Sequence, residues 1–218
     1  MRQPDEKSFL KDVAKHKMTV LHESEMYRHL RFSSGSFNMQ FDLVTWPGML
    51  TICGDMGTWV FSRLPDMFDF FRSSKLEINP YYWSEKLQHG NFSGRTGGKV
   101  WDADSFKEKL LAMLKDNYGF KGKKLKEITQ AVKDEIFIHE DEGPYAMPQS
   151  AYNFKYVFES DRDQRSYTEK LLNYKRENAF EFGSTDIPDG MVYSYHFLWC
   201  CYAIVWGIQQ WDAREPNV

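Results

Sequence analysis

"VTWPGMLTICGDMGTWVF", residues 44–61, decides the fold. Pro47-Gly48 has the residue types of a type II turn, because proline fixes φ at the first central position and glycine accepts a positive φ at the second. Met49 to Cys53 then reads as a strand, and "GDMG", residues 54–57, reverses the chain again before "TWVFSR", residues 58–63, runs back. Reversals this close together are the mark of an antiparallel meander.

The same period extends upstream. Phe37, Met39, Phe41 and Leu43 alternate with Asn38, Gln40 and Asp42, the pattern of a half-buried strand. "YRHLRF", residues 27–32, reads as its partner across the turn "SSGS". The expectation is a four-stranded antiparallel meander over residues 27–63.

Elsewhere the period is helical. Phe9, Leu10 and Val13 form a short apolar stripe, and Pro65 opens a segment in which Leu64, Phe68 and Phe71 share a side widened by Met67 and Phe70. Ser105 and Glu108 make a capping box before Phe106, Leu110 and Leu114, with Gly119 as the stop. Leu125, Ile128, Val132 and Ile136 continue at spacings of three and four, so an antiparallel helix pair is expected, ended by the charged "HEDEGP". Residues 151–159 alternate and read as a strand ahead of a helix, and Tyr167, Leu171 and Tyr174 line one helical face. "YSYHFLWCCYAIVWGIQQW", residues 193–211, has an uninterrupted apolar part between Phe197 and Ile208, shorter than the ~20 residues a membrane crossing needs, and reads as a buried central helix. The fold class is therefore α+β: one domain over residues 1–218, with the meander packed against a helical remainder over 64–218.

Composition restricts function. The chain has 218 residues, 42% of them hydrophobic and 27% charged, enough for a sizeable core. A formal net charge of -3 argues against direct nucleic-acid binding, which needs a basic face. The cysteines Cys53, Cys200 and Cys201 are odd in number and include an adjacent pair, which suits a reducing cytoplasm. The N-terminal "MRQPDEKSFLKDVAKHK" is too polar for a secretory signal.

Several motifs invite chemistry. "SGRTGGKV" compares with a phosphate-binding loop, but Ser93 stands where the first glycine is required and Val100 where the magnesium-binding hydroxyl belongs. The glycine-rich residues 90–99 read as a mobile loop. His16, His22 and His29 fit no compact zinc spacing and read as solvent-facing, so no metal is expected. His196 precedes Cys200 by one turn, but the apolar surroundings make that thiol inert. Asp55 lies in the "GDMG" turn, where aspartate bonds its own backbone. Trp46 and Trp59 flank the two turns, and rigid aromatics beside a tight turn are the chemistry of a protein-binding hot spot. Trp46, Asp55 and Trp59 are thus the candidate protein-binding residues. In the alternative reading Arg63, Arg95 and Lys99 bind an anion, with the loop closing over a site that holds Asp55 and a histidine such as His29.

"MYRHLRF", "FDLVTWPGMLTICGDMGTWVFSRLPDMFDFFR" and "FLWCCYAIVWGIQQWD" together resemble a family of uncharacterised proteins encoded by tailed bacteriophages and prophages. The likeness covers the front third and the C-terminal helix, and carries no catalytic residues with it. It implies work in the cytoplasm of an infected bacterium. The expected function is that of an accessory protein, without cofactor, that binds and inhibits or redirects a host protein, such as a component of a CRISPR-type nuclease complex. The alternative is a nucleotide-binding enzyme or a sponge for a signalling nucleotide.

Overall fold

The computed structural model describes residues 3–90, 98–158 and 179–214. Contacts divide the chain into two compact units, Met1–Val100 with Tyr193–Val218, and Trp101–Val192, where the sequence reading expects one domain. Each unit has its own hydrophobic core.

The first unit is built on a six-stranded antiparallel sheet whose strands lie in chain order. They are β1 (Lys17–Ser24), β2 (Tyr27–Ser33), β3 (Phe41–Trp46), β4 (Met49–Gly54), β5 (Gly57–Ser62) and β6 (Leu87–His89). The meander is thus longer than four strands, and the additions are its two edges. β1 is exposed along nearly its whole length, so no buried face imprints alternation on its residues. A bulge between Val20 and His22 interrupts its pairing with β2, a feature that blunts an open edge. At the other edge β6 has only 3 residues, too few for a period to show. β3 begins later than the alternation suggests, because Phe37 is 79% exposed and Met39 takes a left-handed conformation at φ 57.

Leu30 and Phe32, Phe41 and Leu43, Leu50 and Ile52, and Trp59 and Phe61 alternate along β2 to β5 and are all buried. They belong to the same core as the C-terminal helix, whose residues Phe197, Trp199, Ile204, Val205 and Ile208 are buried with them. Burying a side chain of this size contributes roughly 1.5–3 kcal/mol, so the shared core is the main cohesion of the unit. Gly207 marks the closest approach: a Cβ there would lie 2.7 Å from Leu43 Cδ1. Two short helices, α1 (Glu6–Asp12) and α2 (Met67–Phe71), are N-capped by Asp5 and Asp66, and α3 (Pro80–Ser84) by Asn79.

The second unit contains α4 (Ala103–Asp116), α5 (Gly122–Glu135) and α6 (Ala146–Asn153), with a 3-10 turn Phe137–Glu142 between the last two. α4 starts a turn earlier than the Ser105 capping box implies, because Asp102 Oδ1 accepts the Ser105 N–H at 2.7 Å. Residues 146–153 are helical where a strand is expected from 151. Met147 and Ala151, four apart, are buried while Tyr152 is exposed, and among the described residues of that run Lys155–Tyr156 forms a strand, paired with Phe180–Glu181. Phe106, Leu110, Leu114, Ile128, Val132 and Met147 fill this core. The helix expected over 163–178 lies outside the described residues. A further helix, α7 (Tyr195–Asp212), belongs to the first unit and is N-capped by Ser194 Oγ, which accepts the Phe197 N–H at 3.1 Å. Among the described residues no helix is long and apolar enough to cross a membrane.

Candidate functional site

Successive strand residues point to opposite faces of a sheet. With the alternating apolar residues of β2 to β5 committed to the core, the residues between them form the other face: Tyr27, His29 and Arg31, then Asp42, Val44 and Trp46, then Met49, Thr51 and Cys53. Register sets them in rows, with Arg31 opposite Asp42, Asp42 opposite Cys53, and Trp46 opposite Met49.

Asp42 is the anchor of this face. Arg31 donates through Nε to Oδ1 and through Nη2 to Oδ2, both at 2.9 Å, and His29 Nε2 lies 2.7 Å from Oδ2. The residue is only 7% exposed. Burial by itself would push its carboxyl up, but the hydrogen bonds from Arg31 and His29 outweigh that and hold it below the usual carboxylate range. An ionised carboxylate only accepts, so the hydrogen in the His29 contact sits on Nε2.

Cys53, beside Asp42, is pushed up by burial and then by the carboxylate charge, so at neutral pH it is a thiol and not a nucleophile. Cys200 and Cys201 are fully enclosed, and burial raises both. None of the chain's thiols is poised for attack.

At one end of the face Tyr27 is 51% and Trp46 39% exposed. The turn after Trp46 is fixed by Gly48, which has the φ of 84 that a type II turn requires and donates its N–H to Pro65 O at 2.8 Å. The indole is therefore presented from a rigid strand end.

The residues singled out from sequence fare differently. Trp46 is on the outward face. Trp59 is not: it is 1% exposed, packs edge-on against Phe197 at 5.1 Å and donates Nε1–H to Met56 O, so it holds the core and cannot meet a partner. Its parity explains this, since Trp59 is in phase with buried Phe61 whereas Trp46 is out of phase with Phe41 and Leu43. Asp55 is exposed but occupied: Oδ2 accepts the Met39 N–H at 2.8 Å and its own N–H donates to Gln40 O at 3.0 Å, pinning the loop before β3 to the β4–β5 turn. Arg63 is exposed just after β5, its backbone N–H directed at Met67 Sδ. Lys99 places Nζ 5.3 Å from the Tyr193 ring centroid. Arg95 lies outside the described residues. Sequence reading misses the grouping of Arg31 and Asp42 with His29, because it depends on register; the available signal was that all three fall on the polar phase of their strands.

Comparison with known protein families, with characterised proteins and with solved structures gave no match to this chain.

Proposed function

We propose that this chain is a phage-encoded accessory protein that acts in the host bacterial cytoplasm by binding a host protein and inhibiting or redirecting it, a component of an antiviral nuclease complex being the kind of target meant. The observation that supports this reading is the pairing, on one sheet face, of exposed Tyr27 and Trp46 with the fixed Arg31–Asp42–His29 cluster. Rigid aromatics lose little conformational freedom on binding, and charges already held in place give a partner's surface a defined pattern to match. Trp46 and Tyr27 supply the anchors, and Trp59 has no part in the contact.

The test is an affinity pull-down from host lysate with the wild-type protein and with a Tyr27→Ala/Trp46→Ala variant. A stoichiometric host protein retained by the first and lost by the second, with thermal melting unchanged, is the expected result. Equal retention by both removes this face from the function. If neither retains a protein, the reading is overturned and the nucleotide-binding alternative through Arg63 and Lys99 takes its place.

A further inference from the structure

His22 and His29 have a sequence spacing that matches no compact metal motif, yet the β1–β2 register sets them directly opposite each other. The bulge at Leu21 is what makes this possible. Val20, itself exposed, opposes buried Leu30, and the extra residue brings His22, rather than Leu21, opposite His29 on the outward face. Directly opposed antiparallel residues share a face, with Cβ atoms about 4.5–5.5 Å apart. His22 is exposed and His29 has 36% of its side chain accessible.

Asp42 settles which nitrogen of His29 is available. Because the carboxylate takes the hydrogen on Nε2, Nδ1 is the ring nitrogen left to act as a ligand. β3, which carries Asp42, and β1, which carries His22, flank β2 on opposite sides. A carboxylate behind an imidazole is the arrangement that orients a metal-bound histidine and raises its basicity.

We propose that His22 and His29 form a two-histidine site for a borderline-soft divalent ion of the zinc or copper class, with Asp42 as the positioning residue for His29. Imidazole is the ligand type suited to these ions. In a tetrahedral shell with bonds of roughly 2.0–2.1 Å, two ligand nitrogens are about 3.3 Å apart, a span that two side chains on facing strand positions can reach. No set of three or more His, Cys, Asp and Glu side chains converges among the described residues. The other coordination positions therefore fall to water.

Titration of the full chain with Zn2+ by isothermal calorimetry tests this, in a buffer that does not itself bind the ion. Uptake of one equivalent is expected, with a loss of at least tenfold in affinity for His22→Ala and for His29→Ala. Asp42→Asn should weaken binding by about 10- to 100-fold while both histidines remain. His89→Ala alters an exposed histidine on β6, at the far edge of the sheet, and should bind as wild type does. His22 lies on an exposed edge, so its variant reports binding without risk to the fold. No uptake by the wild-type chain, or full affinity in both histidine variants, would overturn the site. Full affinity in Asp42→Asn alone would overturn the positioning role.

Discussion

Asp42 and Asp66 are carboxylates whose charge the fold uses. Arg28 donates Nη1–H to Asp66 Oδ1 at 2.9 Å and Nη2–H to Oδ2 at 2.8 Å, while its guanidinium carbon lies 4.6 Å from the Phe68 ring centroid. The Arg28 hydrogen bonds lower the Asp66 carboxyl more than burial raises it, and Asp42 is lowered against its own burial by Arg31 and His29. Both groups thus have folded values below the unfolded value of about 3.9. Their stabilisation is present in full above that value and is lost as pH falls through the folded value. Wild-type stability should accordingly drop steeply below about pH 4. Asp66→Asn should lower stability at neutral pH by about 1–3 kcal/mol, because it leaves a buried cation underpaired, and should flatten the acid limb. Urea denaturation at a series of pH values measures both, and an acid limb parallel to wild type would refute the linkage.

Among the elements, the β4–β5 hairpin carries the tightest constraint. Gly54 faces Gly57 across it, and a Cβ on Gly54 would stand 2.1 Å from Gln40 O and 2.7 Å from Phe41 Cα. Both obstacles are backbone, so a side chain there has to push β3 and β4 apart. Gly54→Ala should therefore destabilise by at least ~1–3 kcal/mol, the usual scale for overpacking. A thermal melt within error of wild type would show that the sheet yields there. The helices illustrate a different point: α6 takes the first residues, 151–153, of a run whose alternation resembles a strand, and Met147 and Ala151 are buried on one helical side of it.

At the scale of the whole molecule, the chain leaves the first unit after Val100 and returns at Tyr193. The two ends of that unit are tied, since Ser194 N–H donates to Gly98 O at 2.9 Å, and every residue of its core comes from within it. Replacing residues 101–192 by a short Gly/Ser linker should leave a folded protein with a cooperative melt and intact near-ultraviolet circular dichroism. A chain with no cooperative transition would show that the first unit depends on the second.

The sequence by itself determined the meander and the buried C-terminal helix. Pro47-Gly48 and "GDMG" are local turn chemistry, and the alternation along β3 to β5 and the apolar run of α7 follow directly from one-sided or complete burial. Parity even held the fate of the two tryptophans, although only the packed sheet made it plain. Tertiary structure alone decided the rest. An edge strand such as β1 has no buried face to pattern it, and the alternating run over 151–159 is split between the end of α6 and the short strand Lys155–Tyr156. The contacts of Asp42 with Arg31 and His29 follow from the β2–β3 register, and the opposition of His22 to His29 from a β1–β2 register that a single bulged residue resets; no local sequence rule encodes either.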